Sequence, residues 1–304
     1  MIDRVLIVGA SGLLGVNLMY QYPLQNKLLL HENKREIKTK KFLKLQFDAS
    51  SRKSIERAFK KNHPSIIINS AGITDIEKCN QNPDLANSIN AKIAENLADV
   101  SKNLGIKFVQ ISTDHLFDGK QKFCTEETPP NPLNHYGSSK ALAEELVSKS
   151  NPDALIIRCN FFGWGPNYRI SFSDFIYNNL IAKKEIKLAT DYYYTPLSTS
   201  VLIDTIYELI IKNANGIFNV VGTDRLSKYD FGNNLSRVFK LNRKLIRPVK
   251  WRDLKITTIR PNDLSLSDDK INNFLGKRLG DINHNLNELK IQYDSILYRK
   301  VKSL

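Results

Sequence analysis

The feature that most constrains this chain is a glycine-rich turn directly after its first apolar run. Residues 4–8 predict a strand buried on both faces, and glycines follow at 9, 12 and 15 before a helical pattern begins. Such glycines permit a tight turn, close approach of a phosphate and close helix packing, and the helix N–H groups would face a pyrophosphate. The placement favours a dinucleotide-binding turn over a merely flexible one. Its candidate contacts are Gly9, Ser11, Gly12, Leu13, Leu14 and Gly15.

Further apolar runs alternate with helical patterns along the chain. The predicted strands after the first cover residues 27–31, 43–47, 65–69, 106–111, 154–158 and 216–221. Such alternation predicts an α/β fold with a doubly wound, mostly parallel sheet and right-handed crossovers. Ligands bind these sheets at the carboxyl ends of the strands, so the residues that follow the strands are the candidates for function.

On this pattern the chain divides into a large and a small part. A dinucleotide-binding Rossmann domain is predicted for residues 1–162, with 196–222 returning to its sheet. A smaller C-terminal lobe that binds the substrate is predicted for 163–195 and 223–304. The tail from Leu286 is interpreted as a basic helix on the surface.

The end of the second predicted strand indicates which dinucleotide is preferred. An acidic residue there would bond the adenosine ribose and repel a 2′-phosphate, and Glu32 stands at that place. Asn33, Lys34 and Arg35 follow at once, which favours NADP(H), with Lys34 or Arg35 near the 2′-phosphate and NAD(H) as the alternative. The remaining candidate contacts, at the ends of the third and fourth strands, are Asp48, Ala49, Ser70, Ala71 and Gly72.

A tyrosine and a lysine four residues apart are the best candidates for chemistry. If Tyr136 opens a helix, Lys140 lies on the same face, and its ammonium would bring the phenol's pKa down from about 10. Thr113, which follows the fifth predicted strand, could polarise the same substrate oxygen. An isolated pair of this kind is more often found on a solvated helix, so the interpretation depends on the glycine turn and on the hydroxyl.

Together these motifs resemble the extended short-chain dehydrogenase/reductases, and within them the dTDP-4-dehydrorhamnose reductase family. The resemblance is carried by GASGLLG at 9–15, Ser-Thr-Asp at 112–114, Phe-Asp-Gly at 117–119, the segment 132–140, Arg-Pro at 260–261 and Leu-Ser-Leu at 264–266. It implies that Tyr136 donates a proton and that Thr113 bonds the substrate oxygen. It also implies that Lys140 lowers the donor's pKa and holds the nicotinamide ribose, so that both Tyr136 and Lys140 contact the cofactor.

The same resemblance places further residues near the substrate. They are Asp114, His115, Asn160, Phe161, Phe162 and Arg260. This chain has His115 where the family commonly has tyrosine, and it lacks a tryptophan that the family often has after the sixth strand. His115 also disfavours a 4,6-dehydratase, which has an acid at that place, although a loop histidine bonded to backbone is an equal alternative. Arg260 either contacts a phosphate or sugar or shapes a turn with Pro261.

The resemblance implies NAD(P)H-dependent reduction of a nucleoside-diphosphate 4-keto-6-deoxy sugar in the biosynthesis of surface polysaccharide sugars. Two alternatives stay open at this point. One is a nucleotide-sugar epimerase that keeps NAD tightly bound, and the other is a regulatory or binding subunit of the same fold without chemistry. The intact Tyr136 and Lys140 argue against the second.

The net charge of +14, from 45 Lys and Arg against 31 Asp and Glu, raises the question of a nucleic-acid surface. The lysines are scattered and not interleaved with aromatic residues, so we expect a basic surface that attracts small anions, and no nucleic-acid partner. The lack of a signal peptide and of a membrane-spanning run, with three separated cysteines, predicts a cytoplasmic protein with structural thiols. No metal site is predicted. The resemblance allows a homodimer, although no local pattern establishes one.

Overall fold

The computed structural model describes residues 2–33, 35–254 and 257–304. Its strands are β1 (Val5–Val8), β2 (Leu28–His31), β3 (Leu43–Leu45), β4 (Ile66–Asn69), β5 (Lys107–Ile111), β6 (Leu155–Arg158), β7 (Phe161–Phe162), β8 (Ile186–Ala189), β9 (Tyr193–Tyr194), β10 (Leu197–Ser198), β11 (Gly216–Asn219), β12 (Leu226–Ser227), β13 (Ile246–Val249) and β14 (Asp263–Leu264). Its α-helices are α1 (Leu13–Gln21), α2 (Arg52–Asn62), α3 (Ile76–Gln81), α4 (Pro83–Ala86), α5 (Ile93–Asn103), α6 (His135–Ser150), α7 (Phe172–Ile181), α8 (Thr199–Ile211), α9 (Lys228–Val238), α10 (Asp269–Leu275), α11 (Ile282–Asp294) and α12 (Ile296–Lys302). A π-helical segment, Asn87–Lys92, leads into α5.

Seven strands form one parallel sheet in the order β11-β6-β5-β4-β1-β2-β3. The chain moves outward from β1 to β3, returns to β4 beside β1, and then moves outward in the opposite direction. Helices pack on both faces, which confirms the predicted doubly wound α/β fold. The reversal between β1 and β4 opens a crevice at their carboxyl ends, where sheets of this kind bind ligands.

Alternate side chains of β1 enter two separate hydrophobic cores. Val5 and Ile7 belong to the core on one face of the sheet, and Leu6 and Val8 belong to the core on the other. All four are fully buried. Successive side chains of a strand point to opposite faces, so a strand covered on both faces must be apolar at every position. This requirement explains the uninterrupted apolar run that precedes the glycine turn.

Three short sheets lie beside the main one. β7 pairs with β10, β8 pairs with β13, and β9 lies between β12 and β14. The segments predicted for the C-terminal lobe contain α7, α9 and α10 as well as β8, β9 and β12 to β14. The division into two domains stays a prediction. None of the helices in the described part of the chain combines the length and apolar character that a bilayer crossing requires.

The C-terminal tail differs from the surface helix predicted for it. It forms α11 and α12, which pack against α1, α8 and α9. Leu286, Leu289 and Val301 in these helices are fully buried, and the indole N–H of Trp164 donates to the carbonyl of Leu289 at 3.0 Å. The prediction was wrong because basic residues such as Arg299 and Lys300 occupy one exposed side of these helices, whereas their other side carries buried apolar residues.

Candidate active site

The glycine turn brings the start of α1 against the end of β1. Gly9 has a φ of +86°, in the left-handed region that favours glycine, and a Cβ there would lie 2.5 Å from the nitrogen of Ala71. A Cβ at Gly15 would lie 2.3 Å from the carbonyl oxygen of Gly9, so Gly15 serves the packing of α1. No side chain of the described residues caps α1 at Gly12. The first N–H groups of α1 are therefore available to an anion.

A cleft connects this turn with the carboxyl ends of β4 and β5 and the start of α6. Most residues predicted to contact a cofactor line it: Gly9, Ser11, Gly12, Leu13, Leu14, Asn33, Ala49, Ser70, Ala71, Gly72, Tyr136 and Lys140. The sequence analysis missed other lining residues, namely His31, Ile73, Thr74, Ile89 and Ile93. An apolar residue on a helix has the same sequence signal whether it faces a cleft or a core, so the isoleucines could not be found by pattern.

Glu32, the acidic residue after β2, is turned into the protein. Its carboxylate accepts hydrogen bonds from the N–H of Ile37 at 2.7 Å and from Gln46 at 3.3 Å, and it pairs with Lys44 at 3.4 Å. These contacts, the bond from Ile37 most strongly, keep the pKa of Glu32 below its usual value. The carboxylate thus holds the loop after β2, and Glu32 does not line the cleft in the described part of the chain.

Two of the residues predicted at the adenosine end have other surroundings. Asp48 caps the turn that follows it. The guanidinium of Arg35 lies 4.0 Å from the ring centroid of Tyr168, whose hydroxyl donates to the carbonyl of Ser11 at 3.0 Å. Arg35 is thus at the rim beside the glycine turn. Lys34 lies outside the described residues.

Tyr136 and Lys140 lie one turn apart at the start of α6. The helix begins here because the side-chain oxygen of Asn134 accepts a hydrogen bond from the N–H of Gly137 at 3.0 Å. A Cβ at Gly137 would lie 2.3 Å from the carbonyl oxygen of His115. The loop after β5 can therefore approach the helix this closely only because residue 137 is glycine.

Thr113 reaches the same point from the end of β5, where its hydroxyl lies close enough to the phenol of Tyr136 to lower the phenol's pKa. Burial raises the pKa of Tyr136 above its usual value and outweighs the lowering by this hydroxyl. The Lys140 ammonium donates to the carbonyl of Ile111 at 2.7 Å, and burial lowers its own pKa to about 8. The pKa of the phenol is therefore not brought below its usual value, contrary to what the sequence led us to expect, because burial outweighs the influences that lower it. Both groups are buried and the ammonium is bonded to the backbone, so the phenol stays protonated at neutral pH.

Asp114 lies buried beside this trio, with 1% of its surface exposed. Its two carboxylate oxygens accept hydrogen bonds from the hydroxyl of Thr113 at 3.2 Å and from the amide of Asn160 at 2.5 Å. Burial raises the pKa of Asp114 to about 6. In this structure Asp114 orients two other predicted contacts, and Asn160 is the more exposed of the pair.

His115 packs edge-on against Tyr136, with ring centroids 5.5 Å apart. Burial, with a smaller contribution from the positive charges of Arg260 and Lys228, lowers the pKa of His115 to about 3, so the imidazole is neutral. Arg260 is held near it by an ion pair with Glu77 at 3.3 Å. The structure thus brings both His115 and Arg260 beside the tyrosine.

The two phenylalanines predicted as sugar contacts have different environments. Phe161 lines the cleft, whereas Phe162 is buried against Phe231, with ring centroids 4.9 Å apart. Neighbouring side chains of β7 point to opposite sides, so only Phe161 stays a candidate contact.

Lys228, the first residue of α9, is the part of the site that the sequence analysis missed. Its ammonium lies 3.4 Å from the ring centroid of Tyr194, with Phe172 at 4.8 Å and Tyr192 at 5.4 Å. It faces Asp114 closely enough for each charge to shift the pKa of the other. No motif separates this lysine from those on the surface, and only the fold brings it to the end of β5.

Comparison with known proteins supplies the family. Residues 3–294 match the family described as RmlD substrate binding domain. The chain belongs to this family. The match covers most of the RmlD-family chain and confirms the family predicted from the motifs.

A probable low-salt glycan biosynthesis reductase of Haloferax volcanii is 28% identical over 274 residues, which are 89% of this chain and 91% of the relative. A spore coat polysaccharide biosynthesis protein of Bacillus subtilis is 30% identical over 233 residues, 75% and 76% of the two chains. The solved structure of dTDP-4-dehydrorhamnose reductase from Bacillus anthracis in complex with NADP has a TM-score of 0.82 at 24% identity, covering 96% of this chain and 100% of that one. The RmlD-family fold predicted from the sequence is thereby confirmed.

Proposed function

We propose that this RmlD-family protein is an NAD(P)H-dependent reductase of a nucleoside-diphosphate 4-keto-6-deoxy sugar, used in surface polysaccharide biosynthesis. The observation that carries the proposal is the convergence of Thr113, Tyr136 and Lys140 at one end of a cleft whose other end is the glycine turn. The relatives named as glycan and polysaccharide biosynthesis proteins support an oxidoreductase that acts on a nucleotide sugar.

The cleft residues fit a nicotinamide dinucleotide. Gly9 leaves no room for a Cβ, the N-terminus of α1 offers uncapped N–H groups, and Ser70 to Gly72 form a wall of small side chains. NADP(H) is the preferred form and NAD(H) the alternative, because the Glu32 carboxylate is bonded within its own loop while Arg35 lies at the rim. The NADP complex of a reductase of similar fold agrees with this preference. When bound, the cofactor supplies the hydride for the ketone carbon.

The chain's own residues manage the proton and the developing charge. Tyr136 is protonated at neutral pH and donates its proton to the ketone oxygen as that oxygen becomes negative. The hydroxyl of Thr113 has a single proton, which it donates to Asp114 in this structure, and it turns that proton to the same ketone oxygen when the substrate is bound. Lys140 provides a positive charge one helical turn from the phenol, which stabilises the tyrosinate that remains.

The test is NADPH oxidation across a panel of nucleoside-diphosphate 4-keto sugars. We expect turnover of at least one 4-keto-6-deoxy sugar, and a roughly 100- to 10,000-fold loss of kcat in Tyr136→Phe with unchanged NADPH affinity. Tyr207→Phe, on α8, is the matched control because it removes a phenol outside the cleft. Parent-like turnover by Tyr136→Phe would contradict the mechanism.

The same preparation separates the two alternatives. An epimerase would show bound nicotinamide in the absorbance spectrum of the fresh protein and would need no added reductant. A regulatory subunit would oxidise no NADPH and would capture a partner enzyme in a pull-down with or without NADPH. The predicted homodimer is checked by the mass in solution.

A further inference from the structure

The ammonium of Lys228, a partly exposed residue, lies among aromatic rings beside the proposed active site without a hydrogen-bond partner in the described part of the chain. The described residues offer its three N–H groups neither a hydrogen bond nor a contact ion pair, and only the aromatic faces of Tyr194, Phe172 and Tyr192 surround it. A cation over aromatic rings recovers part of its lost hydration, but rings accept no conventional hydrogen bond. The donors of Lys228 are therefore available to a ligand.

The nearest negative charge does not fill this role. Both oxygens of Asp114 already accept hydrogen bonds, from Thr113 and from Asn160. Asp114 attracts Lys228 across a gap, while Arg260 repels it. A charge pair held apart in this way has room for a bridging group. The hydroxyl of Tyr194, buried and without a partner among the described residues, is a second unsatisfied polar group at the same place.

The orientation of Asn160 indicates what the bridging group is. Its NH₂ donates to Asp114, which leaves the carbonyl oxygen of this partly exposed side chain as an acceptor. A group that accepts a hydrogen bond from an ammonium and donates one to an amide oxygen is a hydroxyl. A neutral hydroxyl also suits this place better than a diphosphate, since the carboxylate of Asp114 would repel an anion bound directly beside it.

The position of Thr113 indicates which hydroxyl is bound. Thr113 contacts the ketone oxygen in the proposed function, on which this inference rests, and its hydroxyl is 3.2 Å from Asp114. Groups on the far side of Asp114 therefore lie beside the carbon next to the ketone. We infer that Lys228 and Asn160 bind the hydroxyl on that carbon, so that Lys228 selects 4-keto sugars with a free 3-hydroxyl over their 3-deoxy counterparts.

The test compares two nucleoside-diphosphate 4-keto-6-deoxy sugars that differ only in having or lacking the 3-hydroxyl. We expect the parent protein to favour the hydroxylated sugar by roughly 10- to 100-fold in kcat/KM, the usual effect of a hydrogen bond to a charged group. Lys228→Met should lose most of this preference by slowing the hydroxylated sugar alone, with NADPH binding unchanged. Lys228→Arg, which keeps a cationic donor, should retain part of it. Lys187→Met removes an exposed lysine from β8 and is the matched control.

Each other outcome has a definite meaning. Equal rates for the two sugars in the parent protein, or an undiminished preference in Lys228→Met, would overturn the inference. An equal loss on both sugars would also overturn it, because Lys228 would then contact a part common to both, such as the diphosphate. Failure of the proposed function is distinct, since the parent protein would then reduce neither sugar. If Lys228→Met does not fold, Lys228→Gln is read by the same criteria.

Discussion

Two pairs of opposite charges in the interior or at the cleft of this protein are built in different ways. Arg158 at the end of β6 and Glu144 on α6 are in direct contact, with the guanidinium Nε 3.1 Å from both carboxylate oxygens and Nη2 2.8 Å from one of them. A third nitrogen of Arg158 donates to the carbonyl of Glu126 at 3.2 Å. Asp114 and Lys228, by contrast, interact across a gap and bond to other groups or to none.

The difference indicates that the first pair has a structural role and that the second belongs to the proposed site. Arg158 and Glu144 compensate each other's lost hydration, so this pair is complete in the folded chain. Asp114 and Lys228 do not compensate each other in this way. Loss of hydration raises the pKa of Asp114 and lowers the pKa of Lys228, which favours the neutral form of each. Charges left uncompensated are characteristic of sites that await a ligand. The following predictions test this contrast.

The largest expected effect comes from breaking the complete pair. Glu144→Ala leaves Arg158 buried without its counter-charge and should lower the free energy of unfolding by about 3–5 kcal/mol, measured by urea denaturation. The double variant Arg158→Met with Glu144→Leu should recover most of that loss, because no unpaired charge stays buried. A single variant as stable as the parent would show that the pair is not a structural element.

The carboxylate of Asp114, in the incomplete pair, should destabilise the folded protein, unlike the carboxylate of Glu144. The folded state binds the Asp114 proton more tightly than the unfolded state, because burial raises its pKa from 3.8 to about 6. The contribution of Asp114 to the free energy of unfolding should therefore fall as pH rises from about 4 to about 6, by roughly 3 kcal/mol at most. The measurement is the parent minus Asp114→Asn difference in unfolding free energy across that range. His115 stays neutral and Lys228 and Arg260 stay charged over most of this window.

Asp48→Asn provides a control of opposite sign. The pKa of Asp48 is lowered by hydrogen bonds from Ser50, so its contribution is present above about pH 4 and is lost as pH falls further. The difference in unfolding free energy between the parent and Asp114→Asn should fall with pH. A difference that stays flat, or that rises with pH as it does for Asp48, would show that Asp114 is not a buried charge without compensation.

Catalysis should show the protonation of Lys140. Burial lowers its pKa to about 8, against the opposing influence of Glu144 and Cys159. The cation supports Tyr136, so the single-turnover rate should fall about tenfold per pH unit above the pKa of Lys140. Lys140→Arg, whose guanidinium stays charged, should be slower overall but flat over the same range. The same alkaline limb in both proteins would assign it to another group.

The contrast between the pairs also marks what could be predicted from the sequence. Tyr136 and Lys140 were found because four residues along a helix fix their relative position, and the glycine turn was found because its residues are consecutive. Lys228 was missed because a distant part of the chain brings it to Asp114. The raised pKa of Tyr136 was missed for a related reason, since burial depends on the packing of the whole fold. The sequence left open whether Glu32 would reach the ribose, and only the fold shows that contacts from Ile37 and the neighbouring strand turn it away.

Breaking a third pair, Glu77 with Arg260, should have the smallest effect on stability because this pair is partly exposed. Glu77 contacts Arg260 at 3.3 Å and also accepts hydrogen bonds from Thr257 and Thr258, so it fixes a segment of the C-terminal part against α3. Water screens this pair, so Glu77→Gln should change the free energy of unfolding very little. The loosened arginine should raise KM for the nucleotide sugar while kcat and NADPH affinity stay the same. Glu185→Gln breaks a more exposed pair, with Arg247 at 2.6 Å, outside the cleft and should leave KM unchanged. Identical KM values for the two variants would mean that Arg260 belongs with the surface charges and not with the group around Lys228.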